Sequence, residues 1–368
     1  MKHLSVLIKP ASSLCNLKCK YCFYANISSL REVRSYGRMK VDVMERMIDN
    51  IYIDLDDGDQ MTFAFQGGEP TLAGLSYFER FAEYVNKQTK KVQVHYAIQT
   101  NGTLLNENWA IFFKENKFLV GLSIDGTSHY HNLNRVNTRN KGTFDVVIEA
   151  KKLLDQYEIE YNILCVLTND LALEPDSVFD FIKENQIDYI QFIPCMDDLD
   201  AEETSEFALI PERFASFYKR IYDLWETEFR NDRYYSINLI DSIIHLVSGH
   251  GAFNCGMLGN CKVQYVIEAD SSVYPCDFYV LDENRMGYLT ENTLFELLES
   301  SQLNRFLCEK TEPYEYCKTC PFVKMCQGGC KRMKHAMYLN KEETYCGYQD
   351  FLSHKLGRMQ HVSKMLYQ

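Results

Sequence analysis

Three cysteines crowd the start of the chain, in the run Cys15-Asn-Leu-Lys-Cys19-Lys-Tyr-Cys22. Thiolates are soft metal ligands. Three of them spaced C-x-x-x-C-x-x-C can hold three corners of a 4Fe–4S cube and leave the fourth to a ligand that is not protein. The same spacing fits half of a zinc site completed by a distant Cys or His, or a redox dithiol. Nine more cysteines come late: Cys255, Cys261, Cys276, Cys308, Cys317, Cys320, Cys326, Cys330 and Cys346. Without Cys308, an ordinary thiol on an expected helix, their pattern is C-x5-C-x14-C, a long gap, then C-x2-C-x5-C-x3-C-x15-C. Eight thiolates ligate two complete 4Fe–4S cubes or two four-thiolate zinc ions, and about 35 partitions into two fours are open. Between the groups lie only Cys165 and Cys195, which read as small buried hydrophobes in or beside strands.

Two further features could do chemistry. In Gln66-Gly67-Gly68-Glu69-Pro70 the paired glycines let backbone approach a ligand with no Cβ in the way, and the carboxylate can accept from an ammonium. Asp277 directly follows Cys276, where a carboxylate beside a cluster could take a proton from substrate. The plain alternative for Asp277 is a turn cap, and Asp282 is its nearest rival.

These residues need elements to position them. Short runs rich in Val, Ile, Phe and Tyr predict strands at Leu4–Lys9, Met61–Phe65, Val92–Ile98, Leu119–Ile124, Tyr161–Leu167 and Tyr189–Ile193. Helical spacing fills Val41–Leu55, Ser76–Gln88, Asn106–Lys117, Thr143–Tyr157, Ser177–Asn185 and Pro211–Arg230. Six strand–helix repeats imply a parallel sheet with right-handed crossovers, and six fit an open, incomplete barrel better than a closed one of eight. Chemistry then belongs at the C-terminal ends of the strands, where Cys15–Cys22, Gln66–Pro70, Gln99-Thr100-Asn101-Gly102 and Asp125-Gly126 all fall.

The rest of the chain narrows the class. Its 368 residues carry a net charge of −12, which argues against general affinity for nucleic acid. No run of about 18 apolar residues predicts a membrane span, and the N-terminus lacks the small-residue cleavage site of a signal peptide. Clustered cysteines without an export signal point to metal binding in the reducing cytoplasm. The 25 Tyr and 22 Phe against 2 Trp suit aromatic-walled pockets and thick cores alike. Cysteine distribution predicts a domain over 1–234, a bridge over 235–254, a small module over 255–346 stapled by metal, and a C-terminal helix over 347–368.

The C-x-x-x-C-x-x-C run after the first strand, with Tyr21 before its last cysteine, closely resembles the radical S-adenosylmethionine superfamily. That resemblance implies a partial (β/α)6 barrel in an α/β fold. It implies a 4Fe–4S cluster on Cys15, Cys19 and Cys22 whose open iron binds S-adenosylmethionine and generates a 5′-deoxyadenosyl radical. It further implies cofactor contacts at Tyr21, Gly68, Glu69, Ser123, Arg135 and the backbone around Met196. The late cysteines resemble the SPASM extension of peptide-modifying radical enzymes. In that resemblance Cys255, Cys261, Cys276 and Cys330 hold an inner auxiliary 4Fe–4S cluster, and Cys317, Cys320, Cys326 and Cys346 an outer one.

A finer resemblance runs along nearly the whole chain, to anaerobic sulfatase-maturating enzymes. Its carriers are Leu7-Ile-Lys-Pro-Ala-Ser-Ser13, Cys22-Phe-Tyr24, Phe65–Gly74, Gln99–Leu104, Asn116–Ser123, His131-Asn-Leu-Asn-Arg135 and Val273–Asp282. It implies oxidation of a Ser or Cys in an unfolded or nascent sulfatase peptide to Cα-formylglycine. Asp277 is the implied proton acceptor, and Tyr24 and Gln66 are candidate substrate contacts. The segment after Arg135 and the loop Asp197–Glu206 depart from the family pattern and could border the peptide. The implied partners are that peptide and a flavodoxin- or ferredoxin-type electron donor, with a monomeric enzyme. The alternative is a maturase of a ribosomally made peptide, forming a thioether or carbon–carbon crosslink or an epimer. A third reading is a non-catalytic electron carrier or zinc-stabilised protein, which would need neither Gly67-Gly68-Glu69-Pro70 nor a barrel. Anaerobically reconstituted protein should hold about 12 iron and 12 sulfide per chain. About two zinc and four iron by elemental analysis would remove the auxiliary clusters.

Overall fold

A computed structural model describes residues 1–251, 254–309 and 314–367. Residues 252 and 253 of the expected bridge, 310–313 of the C-terminal module and 368 of the last expected helix lie outside the described residues. In chain order the strands are β1 (His3–Ile8), β2 (Gln60–Phe65), β3 (Gln93–Thr100), β4 (Phe118–Ser123), β5 (Tyr161–Leu167), β6 (Tyr189–Pro194), β7 (Ser236–Ile237), β8 (Val266–Ile267), β9 (Ser272–Tyr274) and β10 (Gly287–Tyr288). The helices that matter below are α1 (Phe23–Ser29), α2 (Val41–Ile53), α3 (Leu75–Asn86), α4 (Glu107–Glu115), α5 (Phe144–Gln156), α6 (Pro175–Glu184), α7 (Pro211–Arg230), α8 (Asn238–Val247) and α9 (Gly347–Tyr367). All six expected strands and all six expected helices form, with ends shifted by at most two residues. The largest gap between expectation and structure is the additional β8–β10 segment, whose strands of two or three residues are too short to show a period in sequence.

The chain folds into two compact units, each discontinuous in sequence. The first comprises residues 1–123, 135–161 and 262–309. Its strands run in the order β10-β9-β8-β1-β2-β3-β4. β1 to β4 are parallel, β8 is parallel to β1, and β9 and β10 turn back antiparallel. Alternation decides which face is core. In β2 the buried residues are Met61, Phe63 and Phe65, and the half-buried ones Gln60, Thr62 and Ala64. Phe63 and Phe65 meet Phe78 and Phe81 of α3 at centroid distances of 4.9 to 5.0 Å, mostly edge-on. Tyr96 and Phe118 stack at 5.0 Å, and Phe112 and Phe113 of α4 close on Phe118. Each such ring stabilises by about 1.5–3 kcal/mol through burial, so this aromatic layer fixes the height at which the strands end.

The second unit comprises residues 124–134, 162–261 and 310–368. Here β5, β6 and β7 are parallel, and α7 and α9 pack together. α7 begins with Pro211, whose missing N–H costs nothing at the first helical position. Its inward face carries Phe214, Phe217, Tyr218, Ile221, Tyr222 and Trp225, all fully buried. Arg358 pairs with Asp223 at 2.7 Å and with Glu226, and Lys355 pairs with Asp223 at 2.6 Å. Gly347 opens α9 against the carbonyl of Pro211, where a Cβ would overlap backbone. Gly347→Ala should therefore push the two helix starts apart and lower stability by about 1–3 kcal/mol, read as a reduced thermal midpoint.

Candidate active site

The three N-terminal cysteines sit in a loop that leaves β1 and enters α1. The loop is built largely by its own backbone. Ser12 and Leu14 carbonyls accept from the Gly68 and Glu69 amides at 2.9 and 2.7 Å, and the Lys18 amide donates to the Val136 carbonyl at 2.7 Å. A Cβ at Gly68 would overlap the backbone of Leu14 and Ser13. The Gly-Gly-Glu turn thus carries the cysteine loop directly. The Glu69 side chain is fully buried and holds the turn from within. Its Oε1 accepts from the Thr71 amide at 3.1 Å, the Thr71 hydroxyl at 2.6 Å and the Thr100 hydroxyl at 2.7 Å, and its Oε2 from the Asn101 amide at 2.8 Å. Burial pushes its carboxyl above the ordinary range while these donors pull it back.

Cys15 is dressed as a thiolate ligand would be. The Leu17 amide donates to its Sγ at 3.4 Å, and Asn101 Nδ2 reaches it at 3.9 Å. Asn101 is itself fixed, donating to Asn16 Oδ1 at 2.9 Å and accepting from the Thr103 hydroxyl at 2.7 Å. Desolvation nevertheless pushes the Cys15 thiol up to about 11.

The expected proton acceptor lies in the same unit. Asp277 is 5% exposed, just past β9. Its Oδ2 accepts from the Tyr24 hydroxyl at 2.5 Å and from Gln66 Nε2 at 3.2 Å, and Gln66 also donates to the Tyr24 oxygen at 2.6 Å. The structure therefore brings Tyr24, Gln66 and Asp277 together from three distant segments. Burial and the Asp277 carboxylate both raise the Tyr24 phenol well above its ordinary value, so it serves as a donor. The Asp277 Oδ1 lies 2.9 Å from Lys9 Nζ but receives no aligned hydrogen bond. Asp282, the rival, is half-buried and accepts from the Glu32 amide at 2.8 Å.

Sequence reasoning missed Lys9, Arg31 and Glu268. All three are buried, and Glu268 accepts from Arg31 Nη1 and the Ser12 hydroxyl, each at 2.6 Å. The available signal was a lysine ending the apolar run Leu7-Ile8. Of the expected cofactor contacts, Ser123 ends β4 buried, Arg135 is buried with its guanidinium 5.7 Å from the Tyr21 ring, and Met196 is buried after β6 in the second unit.

In the second unit Cys317, Cys320, Cys326 and Cys346 line one cavity, with Tyr316, Tyr338 and Tyr348 among its walls. Burial raises the Cys326 and Cys346 thiols to about 11 and about 12, and the Gly328 and Gln349 amides oppose it by donating to the sulfurs. Cys255, Cys261 and Cys330 belong to this unit, and a Cβ at Gly256 would stand 2.7 Å from Cys330 Cβ. Cys276 belongs to the first unit. Among the described residues no three Cys, His, Asp or Glu groups converge on a single metal-ion position. Cys165 and Cys195 are buried and Cys308 ends a helix exposed.

Comparison with known proteins agrees with this geometry. The sequence matches the Radical SAM superfamily over residues 10–182 and an iron–sulfur cluster-binding domain, SPASM, over 258–321. It is 40% identical, over 100% of this chain and 99% of the relative, to a cysteine-type anaerobic sulfatase-maturating enzyme of Clostridium novyi. A serine-type enzyme of Bacteroides thetaiotaomicron is 30% identical over 99% of this chain and 92% of its own. The solved structure of native anSMEcpe with bound AdoMet and the Kp18Cys peptide superposes with a TM-score of 0.91 at 39% identity, covering 99% of both chains. A cysteine loop carried on a Gly-Gly-Glu turn, a buried Asp277 beside it and likeness along the whole length lead to one conclusion: the chain belongs to the anaerobic sulfatase-maturating enzymes, radical SAM proteins with a SPASM domain.

Proposed function

We propose that this chain oxidises a cysteine of a sulfatase peptide to Cα-formylglycine. The observation that carries the reading is Asp277: a buried carboxylate whose Oδ2 accepts from Tyr24 and Gln66 and whose Oδ1 stands 2.9 Å from the Lys9 ammonium. Cysteine is favoured over serine because cysteine-type relatives are 40% to 42% identical and serine-type ones 28% to 30%.

The thiols fit iron–sulfur clusters, since amide donors point at the sulfurs of Cys15, Cys326 and Cys346. In this reading Cys15, Cys19 and Cys22 hold the radical cluster. Cys317, Cys320, Cys326 and Cys346 hold the outer auxiliary cluster, and Cys255, Cys261, Cys276 and Cys330 account for the remaining four ligands. Tyr21, Gly68, Ser123, Arg135 and Met196 contact S-adenosylmethionine, and the Glu69 side chain acts by holding the turn. Bound S-adenosylmethionine and the clusters supply hydrogen-atom abstraction and an acceptor for the second electron. The chain supplies the proton acceptor. A thiol losing a Cβ hydrogen atom and one electron must also lose its S–H proton to become a thioaldehyde, and the Asp277 carboxylate takes that proton. Water then converts the thioaldehyde to the aldehyde and releases the sulfur as hydrogen sulfide.

The functional division is a radical domain over 1–234, a bridge over 235–254, an auxiliary-cluster domain over 255–346 and the closing helix. The family matches at 10–182 and 258–321 support it. The enzyme works as a cytoplasmic monomer with a flavodoxin- or ferredoxin-type donor. No helix among the described residues is long and apolar enough to cross a membrane.

Mass spectrometry of a Cys-x-Pro-x-Arg peptide, after anaerobic incubation with reductant and S-adenosylmethionine, should show thiol replaced by aldehyde. An unchanged or crosslinked peptide would overturn the reading. Asp277→Asn should keep three clusters and some S-adenosylmethionine cleavage, yet lose aldehyde formation by at least about 100-fold. Replacing Cys15, Cys19 and Cys22 together by Ala should abolish 5′-deoxyadenosine formation and leave about eight iron bound.

A further inference from the structure

Lys9 is buried at the end of β1, with 3% of its side chain exposed, and is a residue for which the proposed chemistry has so far no use. A buried ammonium is costly unless paired. This one stands 2.9 Å from Asp277 Oδ1 and 3.8 Å from Glu268 Oε1. Glu268 is held in turn by Arg31 at 2.6 Å and by the Ser12 hydroxyl at 2.6 Å. The four charges alternate in sign and cancel: Arg31, Glu268, Lys9, Asp277. The Lys9 stem passes over Gly67, where a Cβ would stand 3.1 Å from Lys9 Cγ and 2.8 Å from the Ser12 carbonyl. Gly67 also has φ of 121°, which only glycine adopts readily. The Lys9 amide donates to the Ile267 carbonyl at 2.8 Å, one residue before Glu268. Both ends of the lysine are therefore fixed to the segment that carries its anions.

We propose that Lys9 is a positioning residue for the proton acceptor: anchored by Glu268, its ammonium fixes the rotation of the Asp277 carboxylate against the Tyr24 and Gln66 donors. The inference rests on Asp277 being that acceptor. Its physical basis is the asymmetry of the carboxylate. Oδ2 has two neutral donors, Tyr24 and Gln66, whereas Oδ1 has only the charge of Lys9. Without that charge, rotation of the carboxylate is opposed by the neutral pair alone. Lys9 also lies 4.6 Å from the Tyr24 ring centroid, so its ammonium bears on the hydroxyl's carrier as well.

The test uses full-length, cluster-loaded enzyme. Lys9→Met should leave peptide KM and S-adenosylmethionine cleavage near the parent values and lower aldehyde formed per 5′-deoxyadenosine by about 100-fold, the cost of misplacing a reacting group by about 1 Å. Lys9→Arg should restore part of that ratio. In an Asp277→Asn background, adding Lys9→Met should lower the ratio little further, because both changes remove one function. The thermal midpoint gives a second readout without turnover. Lys9→Met should depress it, and the double variant, which buries no unpaired charge, should recover much of the loss. That recovery also keeps the test usable if Lys9→Met alone folds poorly. An inactive Asp277→Asn beside a Lys9→Met enzyme with the parent ratio would overturn the inference alone. Near-normal aldehyde from Asp277→Asn would overturn the acceptor reading itself.

Discussion

Two cations and two anions buried in a row must be satisfied together or not at all. Removing one member of such a set costs about 3–5 kcal/mol, because its partner is left charged in a poor solvent. Arg31, Glu268, Lys9 and Asp277 form such a row, and much of the first unit converges on it. β1 ends just before Lys9, β8 ends beside Glu268, and the loop to the cysteines contains Ser12, which bonds Glu268 through its hydroxyl and Gly68 through its carbonyl. The aromatic layer sets the height of the strand ends, and the charge row sets what stands on them.

Glu69 plays the matching part on the other side of the loop. Its four donors come from Thr71, in the helical turn Pro70–Ala73 that follows β2, and from Thr100 and Asn101 at the end of β3. Asn101 then reaches the Cys15 sulfur. One buried carboxylate thus ties the turn after β2 and the end of β3 to the position of the Cys15 sulfur. The arrangement has the logic of a metal site in which partners of the ligands are as fixed as the ligands themselves.

The parts legible in the sequence were those with local signatures. Cysteine spacing is read along a few residues, alternation in β2 along six, and the glycines of Gln66–Pro70 along five. Asp277 was legible because it abuts Cys276. Glu69 was visible as a motif, but the donors that consume its oxygens were not. Lys9, Glu268 and Arg31 left no such signature, since the Arg31–Glu268 bond joins positions 237 apart. Nothing in the neighbourhood of Glu268 distinguishes it from a solvated glutamate. β8, β9 and β10 were missed for the opposite reason: each is too short for a periodic pattern to build up.

The discontinuity of the first unit bears on the order in which the protein is made. Its opening stretch supplies Lys9, Ser12, Tyr24 and Arg31, but their partners Glu268 and Asp277 leave the ribosome about 240 to 270 residues later, roughly ten to fifty seconds at ordinary elongation rates. During that interval the parallel strands β1 to β4 can pair and the cysteine loop can seat on its glycine turn, since every contact involved lies within the first 137 residues. The Tyr24, Gln66 and Asp277 cluster cannot form until the late segment arrives. Nascent chains are therefore able to present a finished cysteine loop while still lacking Asp277, the proposed proton acceptor.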